Sequence, residues 1–151
     1  TVKNLSITTV EVSNHPVKEM GKRKIDVDGN FYISGEDAQS IKEGEQIRLL
    51  GLGNILITKQ GEEIEGEYVK DGDIKSIPKI QWVSQKTAHK IKMIIPKILF
   101  IGEDFNEDSL EERDVYCEPH YLQLKDGEEI QFIRFGYCRK DSQNQAIFTH
   151  K

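Results

Sequence analysis

Cys117 and His120 stand three residues apart, a thiol and an imidazole of the kind that nucleophilic catalysis pairs once a third group orients the base. No signature supplies that third group. The other histidines, His15, His89 and His150, are scattered, so a zinc site would need ligands converging from distant parts of the fold. Cys117 and Cys138 are therefore read as core thiols. Gly51-Leu52-Gly53 lacks the following helix and lysine of a phosphate-cradling loop and reads as a turn between strands. Lys18, Lys22, Arg23 and Lys24 cluster between two expected strands, where they either neutralise phosphates or form a solvated loop. Gln131 offers a paired donor and acceptor, and Arg134 a planar donor fork. Lying three apart on an expected strand, they face opposite sides unless a bulge intervenes, which Gly136 makes possible. Trp82 and Phe135 present faces on which unpaired bases stack, but Trp82 alternates with Ile80 and is read as core.

The elements that must position these groups are short β-branched and aromatic runs punctuated by Gly, Asn and Asp, the pattern of an all-β barrel or sandwich. Asp28-Gly29-Asn30 between Lys24–Val27 and Phe31–Ile33, and Asp126-Gly127 between Tyr121–Leu124 and Ile130–Phe132, predict two hairpins. Ser34 with Asp37 three residues on resembles a capping box and predicts one short helix through Ile41. Further strands are predicted at 46–50, 55–60, 63–69, 80–83, 90–95, 98–101, 132–139 and 146–149. Pro78 and Pro96 lack a ladder N–H and belong at strand ends or edges. A domain boundary is expected near Asp71 to Asp73.

At 151 residues the chain can bury one ordinary core or two small ones. It begins with Thr1 in a strand-like stretch, so it is expected to start partway into a longer protein. No apolar run approaches the roughly 18 to 20 residues of a membrane span, and no signal-peptide pattern occurs, so no membrane partner is expected. Two cysteines do not make a disulfide scaffold, which places the chain in a reducing cytoplasm. Within the net charge of -5, Glu103 to Glu118 holds eight acids and one arginine, a local -7 that leaves +2 for the rest. Residues 102–114 are read as a solvated acidic loop.

Four stretches taken together resemble the anticodon-binding region shared by archaeal-type glutamyl-tRNA synthetases and the glutaminyl enzymes. Asn14-His15-Pro16 followed by Glu19-Met20-Gly21-Lys22-Arg23 is similar to the family's His-Pro, then Glu-x-Gly-x-Arg. Gly44-Glu45-Gln46-Ile47-Arg48-Leu49 is the second, and Ile80-Gln81-Trp82-Val83-Ser84, with glutamine where the family usually has histidine, the third. The most specific is Glu118-Pro119, then Gly127 through Tyr137, in which Ile133 stands where relatives often carry glutamate. Ile147-Phe148-Thr149-His150-Lys151 is similar to the ending of the glutamyl branch.

The resemblance implies two linked small β-barrels of the kind found in ribosomal proteins that bind five-S RNA. Residues 1–72 would start a proximal barrel, 73–128 form a distal one carrying the acidic loop, and 129–151 return to complete the first. It implies that the chain binds the anticodon arm of tRNA(Glu), and also of tRNA(Gln) if the parent enzyme is non-discriminating. DNA is not an expected partner. Gln131 and Arg134 correspond to residues near the anticodon bases, a role their hydrogen-bonding groups suit; Lys22, Arg23 and Lys24 would hold phosphates; Arg48 and Lys75 match basic positions of the two barrels. Class I synthetases carry His-Ile-Gly-His and Lys-Met-Ser-Lys-Ser type signatures, and neither occurs here. ATP and magnesium are accordingly expected in the parent's own N-terminal catalytic domain, with no cofactor in this chain. The alternatives are a β-barrel protein-interaction or ribosomal-RNA-binding module, and a free-standing thiol enzyme.

Overall fold

Alternating apolar and polar residues along short runs yield sixteen strands and one α-helix in the computed structural model, which describes residues 1–14, 19–70, 72 and 76–151. The chain is all-β with one short helix, and it divides into two compact units, residues 1–88 and 89–151.

The first unit contains β1 (Val2–Lys3), β2 (Thr9–Ser13), β3 (Lys22–Asp26), β4 (Phe31–Ile33), α1 (Gly35–Ser40), β5 (Gln46–Leu49), β6 (Gly53–Lys59), β7 (Glu65–Val69), β8 (Lys79–Ile80) and β9 (Trp82–Ser84). Five of these form one sheet in the order β1-β7-β6-β5-β8, while β2 pairs with β3 and β4 with β9. All three ladders face one core of residues such as Val10, Ile25, Ile47, Ile55 and Trp82. Trp82 is 4% exposed, donates from Nε1 to the Leu50 carbonyl at 2.8 Å and meets Phe31 edge-on, which makes it a core residue rather than a stacking platform. The helix is capped as its sequence predicts, with the Asp37 N–H donating to Ser34 Oγ at 3.1 Å.

The second unit contains β10 (His89–Pro96), β11 (Phe100–Ile101), β12 (Asp104–Phe105), β13 (Leu110–Cys117), β14 (Glu129–Phe132), β15 (Gly136–Ser142) and β16 (Gln145–His150). Its sheet runs β13-β10-β16-β15-β14, with β16 parallel to β10 and antiparallel to β15. Tyr121, Ile91, Met93, Cys138 and Ala146 fill its core.

Several expectations differ from these ladders. Asp28-Gly29-Asn30 does not close a hairpin, because β3 and β4 take different partners, β2 and β9. Asp126-Gly127 does not close one either. Pro119–Gln123 is a 3-10 turn that sinks Tyr121 into the core, and Gly127 leads into β14, whose partner is β15. Residues 132–139 are two strands, broken by a turn at 133–135. The stretch 102–114 is not a solvated loop: residues 100–105 form the β11–β12 hairpin, and Leu110–Cys117 pairs along the whole of β10. Three of its acids, Glu111, Glu112 and Asp114, are ion-paired in the ladder with Lys97, Lys92 and Lys90. The expected boundary at Asp71 and Asp73 falls outside the described residues. The strands of 129–151 run in the sheet of 89–117, where they bury Cys138 and Ala146 against Ile91 and Met93.

Candidate nucleic-acid interface

Gln131 is exposed on β14, and Arg134 is exposed in the turn that joins β14 to β15. The Phe135 N–H donates to the Phe132 carbonyl at 2.9 Å, closing that turn around Ile133 and Arg134. Arg134 has φ 67°, a left-handed conformation that glycine or asparagine normally takes at this position of a turn. Because the strand stops at Phe132, the two-residue alternation that would set Gln131 and Arg134 on opposite faces does not extend to Arg134. One hairpin presents both side chains to solvent.

The basic residues of the first unit are arranged differently from a loop cluster. Lys22, Arg23 and Lys24 lie on β3, so alternation separates them: Lys22 and Lys24 point outward, and Arg23 is half-buried. Lys22 Nζ is 2.8 Å from Glu11 Oε1, which raises the lysine above its ordinary value and holds the glutamate below its own. Arg23 donates to the Ser13 carbonyl at 2.8 Å and to Asn14 Oδ1 at 3.4 Å. Arg48 donates at 2.8 Å to Asn54 Oδ1, a side chain 1% exposed, and so satisfies a buried amide. Lys18 and Lys75 lie outside the described residues.

Both thiols are buried. Burial pushes Cys117 up to about 12, with Glu118 adding to the shift, and Cys138 up to about 11, so neither supplies a thiolate near neutrality. Among the described residues, no three His, Cys, Asp or Glu side chains are grouped to hold a metal ion. A cleft of about 430 Å³ in the first unit is lined by Phe31, Ile33, Ile57 and Gln85 among others, with neither cysteine nor histidine. No described helix is long and apolar enough to cross a membrane.

Two features of the second unit escape a reading by periodicity. Lys140 is 3% exposed, with its ammonium donating to the Leu124 carbonyl at 2.6 Å and to that of Leu122 at 3.4 Å, and lying 5.3 Å from the Tyr121 ring centre. The Tyr137 and His150 rings stack at 4.7 Å and 11°, beside the hairpin that carries Gln131. No short motif announces either one.

Comparison with known proteins gives this geometry its family. Residues 1–76 match the family described as tRNA synthetases class I (E and Q), anti-codon binding domain, and residues 79–141 match a second family of the same description. A glutamate–tRNA ligase of Nitrosopumilus maritimus is 71% identical over 150 residues, which cover 99% of this chain and 26% of that protein. Its counterpart in Cenarchaeum symbiosum is 46% identical over 142 residues, 94% of this chain and 25% of the relative. A glutamate–tRNA ligase of Methanococcoides burtonii is 28% identical over 156 residues, 99% and 25%. The chain thus spans about a quarter of the length of these curated relatives. With an all-β frame and both halves of the sequence matched, the chain belongs to the anticodon-binding domain family of the class I tRNA synthetases for glutamate and glutamine.

Proposed function

We propose that this chain binds the anticodon arm of tRNA(Glu), and of tRNA(Gln) where the parent enzyme is non-discriminating, as the recognition part of a cytoplasmic glutamate–tRNA ligase. The observation that carries this reading is Arg134, held at φ 67° in the exposed turn beside Gln131. A non-glycine residue in that conformation costs roughly 1 kcal/mol or more, and such a cost points to a side chain kept for its guanidinium. Arginine and glutamine together can engage the edges of unstacked bases. Lys24 and Lys22 on the outward face of β3 suit phosphate contacts that fix position without reading sequence.

Activation of glutamate, with its ATP and magnesium, is assigned to a catalytic domain beyond this chain. Gly51 to Gly53 leads straight into β6 rather than into a helix, so it offers no phosphate cradle. A gel shift with tRNA(Glu) and its isolated anticodon stem-loop tests the reading, alongside glutamate-dependent pyrophosphate exchange. Specific binding without exchange is expected. Failure to bind either RNA, with binding to ribosomal RNA or to a protein instead, would return the chain to the class of general interaction modules.

A further inference from the structure

β16 carries an irregularity whose effect is to turn one ring outward. Cys138 is opposite Phe148, but Tyr137 is opposite His150, so Thr149 is the extra residue of a bulge. Phe148 packs on the inner core. By simple alternation His150 would share its inward direction; the inserted residue puts His150 on the other side, over Tyr137. Gly136 is required for this approach. With φ 145°, it lies so close to β16 that a Cβ would meet the His150 carbonyl and the Phe148 ring, both at 2.6 Å.

The histidine is also chemically oriented. Thr149 Oγ1 donates its single proton to the Tyr137 carbonyl at 3.0 Å, so its 3.1 Å contact with His150 Nδ1 has the imidazole N–H donating. The neutral ring then presents Nε2 as an acceptor. His150 is exposed and Tyr137 half-buried, so the tyrosine backs the imidazole and leaves one imidazole face open. Across the sheet Tyr137 is directly opposite Gln131.

We propose that the Tyr137–His150 stack is a platform for one unpaired RNA base, received on the open face of His150 beside Gln131. This rests on the reading of the chain as an RNA binder. Stacking is tolerant of base identity, so the platform holds a splayed base in place while its polar neighbours select it.

The test is the affinity of the whole chain for the anticodon stem-loop at one ionic strength, for wild type and for His150→Ala, His150→Phe and His150→Leu. The alanine variant should bind about five- to 150-fold more weakly, the range for loss of one stacked base. His150→Phe should stay within about threefold of wild type, and the slope of log affinity against log salt should not change in either, since no phosphate contact is lost. If His150→Ala melts early, Phe against Leu, two side chains of similar bulk, decides the matter. Folded His150→Ala binding within about twofold of wild type, or His150→Phe losing as much as His150→Leu, overturns the platform while leaving RNA binding intact. Wild-type protein that ignores the stem-loop overturns both.

Discussion

Lys90 Nζ lies 2.7 Å from Asp114 Oδ2 across the β10–β13 ladder, one step diagonal to the residue directly opposite, Tyr116. Lys92 repeats the diagonal with Glu112 at 2.8 Å, and Lys97 reaches Glu111 at 2.6 Å. Glu111 also pairs with Arg113. Diagonal cross-strand neighbours are within reach of long side chains, so the acids of β13, Glu111, Glu112 and Asp114, are matched by cations along one sheet edge.

These pairs set an acid limit. Hydrogen bonding to Lys90 holds Asp114 below the usual 3.8, and Lys97 with Arg113 holds Glu111 below 4.5. A carboxylate with a lowered folded value binds protons more readily when unfolded, so its contribution is complete above 3.8 or 4.5 and disappears as pH falls through the folded value. At the alkaline end, Lys90 and Lys92 are raised above 10.5 by Asp114 and Glu112, and their contribution fades as pH rises through those values. Thermal melts from pH 2 to 7 should show the melting point falling below about pH 4.5, with a shallower fall in Asp114→Asn. Identical pH profiles for the two proteins would deny the pair any role. Because the pairs are exposed, 0.5 M salt should weaken the effect.

Lys140→Met should destabilise the second unit by about 1 to 3 kcal/mol, since it leaves the Leu124 carbonyl without its charged donor. Cys138, 0% exposed in the same core, reports the event. Its alkylation at pH 8 should be slow in the native protein, where burial pushes the thiol up to about 11, and should begin at a lower urea concentration in the variant. Equal urea midpoints would make the buried ammonium dispensable.

Arg134→Gly separates architecture from recognition. Glycine accepts φ 67° without strain, so the turn should still form and the variant should keep a cooperative melt. Discrimination among single-base variants of the anticodon stem-loop should nevertheless narrow, by about 1 to 3 kcal/mol at the base concerned. Gln131→Ala should narrow it as well. If both variants keep wild-type discrimination, the hairpin reads no base.

Lys24→Ala should flatten the dependence of tRNA affinity on salt, for cognate and non-cognate tRNA alike. Glu11→Gln should act in the opposite direction by releasing Lys22 from its 2.8 Å ion pair. Arg23→Ala should leave the slope unchanged, because that guanidinium is engaged with the Ser13 carbonyl.

Local chemistry was the legible part of this sequence. Ser34 and Asp37 located the helix, and β-branched runs located β5, β6, β7 and β10, because caps and alternation act over a few residues. Partner choice was not legible: Asp28-Gly29-Asn30 has the composition of a hairpin turn, yet burial of Ile25 against Val10 on β2 and of Trp82 against Phe31 on β4 directs its flanks to other strands. The acids of β13 read as solvated because Lys90 and Lys92, which pair with Asp114 and Glu112, lie about twenty residues away on β10. At the candidate interface the residues Gln131 and Arg134 could be named, but the end of β14 that places them in one hairpin, and the Thr149 bulge that turns His150 outward, are backbone events with no composition of their own.

The position of β16 between β10 and β15 has a consequence for synthesis. The described strands of the first unit all lie before residue 85, so its sheets can form while later residues are still being added. The second sheet cannot: β10 and β13 wait without their inner neighbour until Gln145–His150 leaves the ribosome, and β15 has only β14 beside it. Until then the core face of β10, with Ile91 and Met93, lacks its cover of Ala146 and Phe148. A stall between residues 117 and 145 therefore leaves a finished first unit tethered to an unfinished sheet with an open edge, the state most exposed to aggregation and proteolysis.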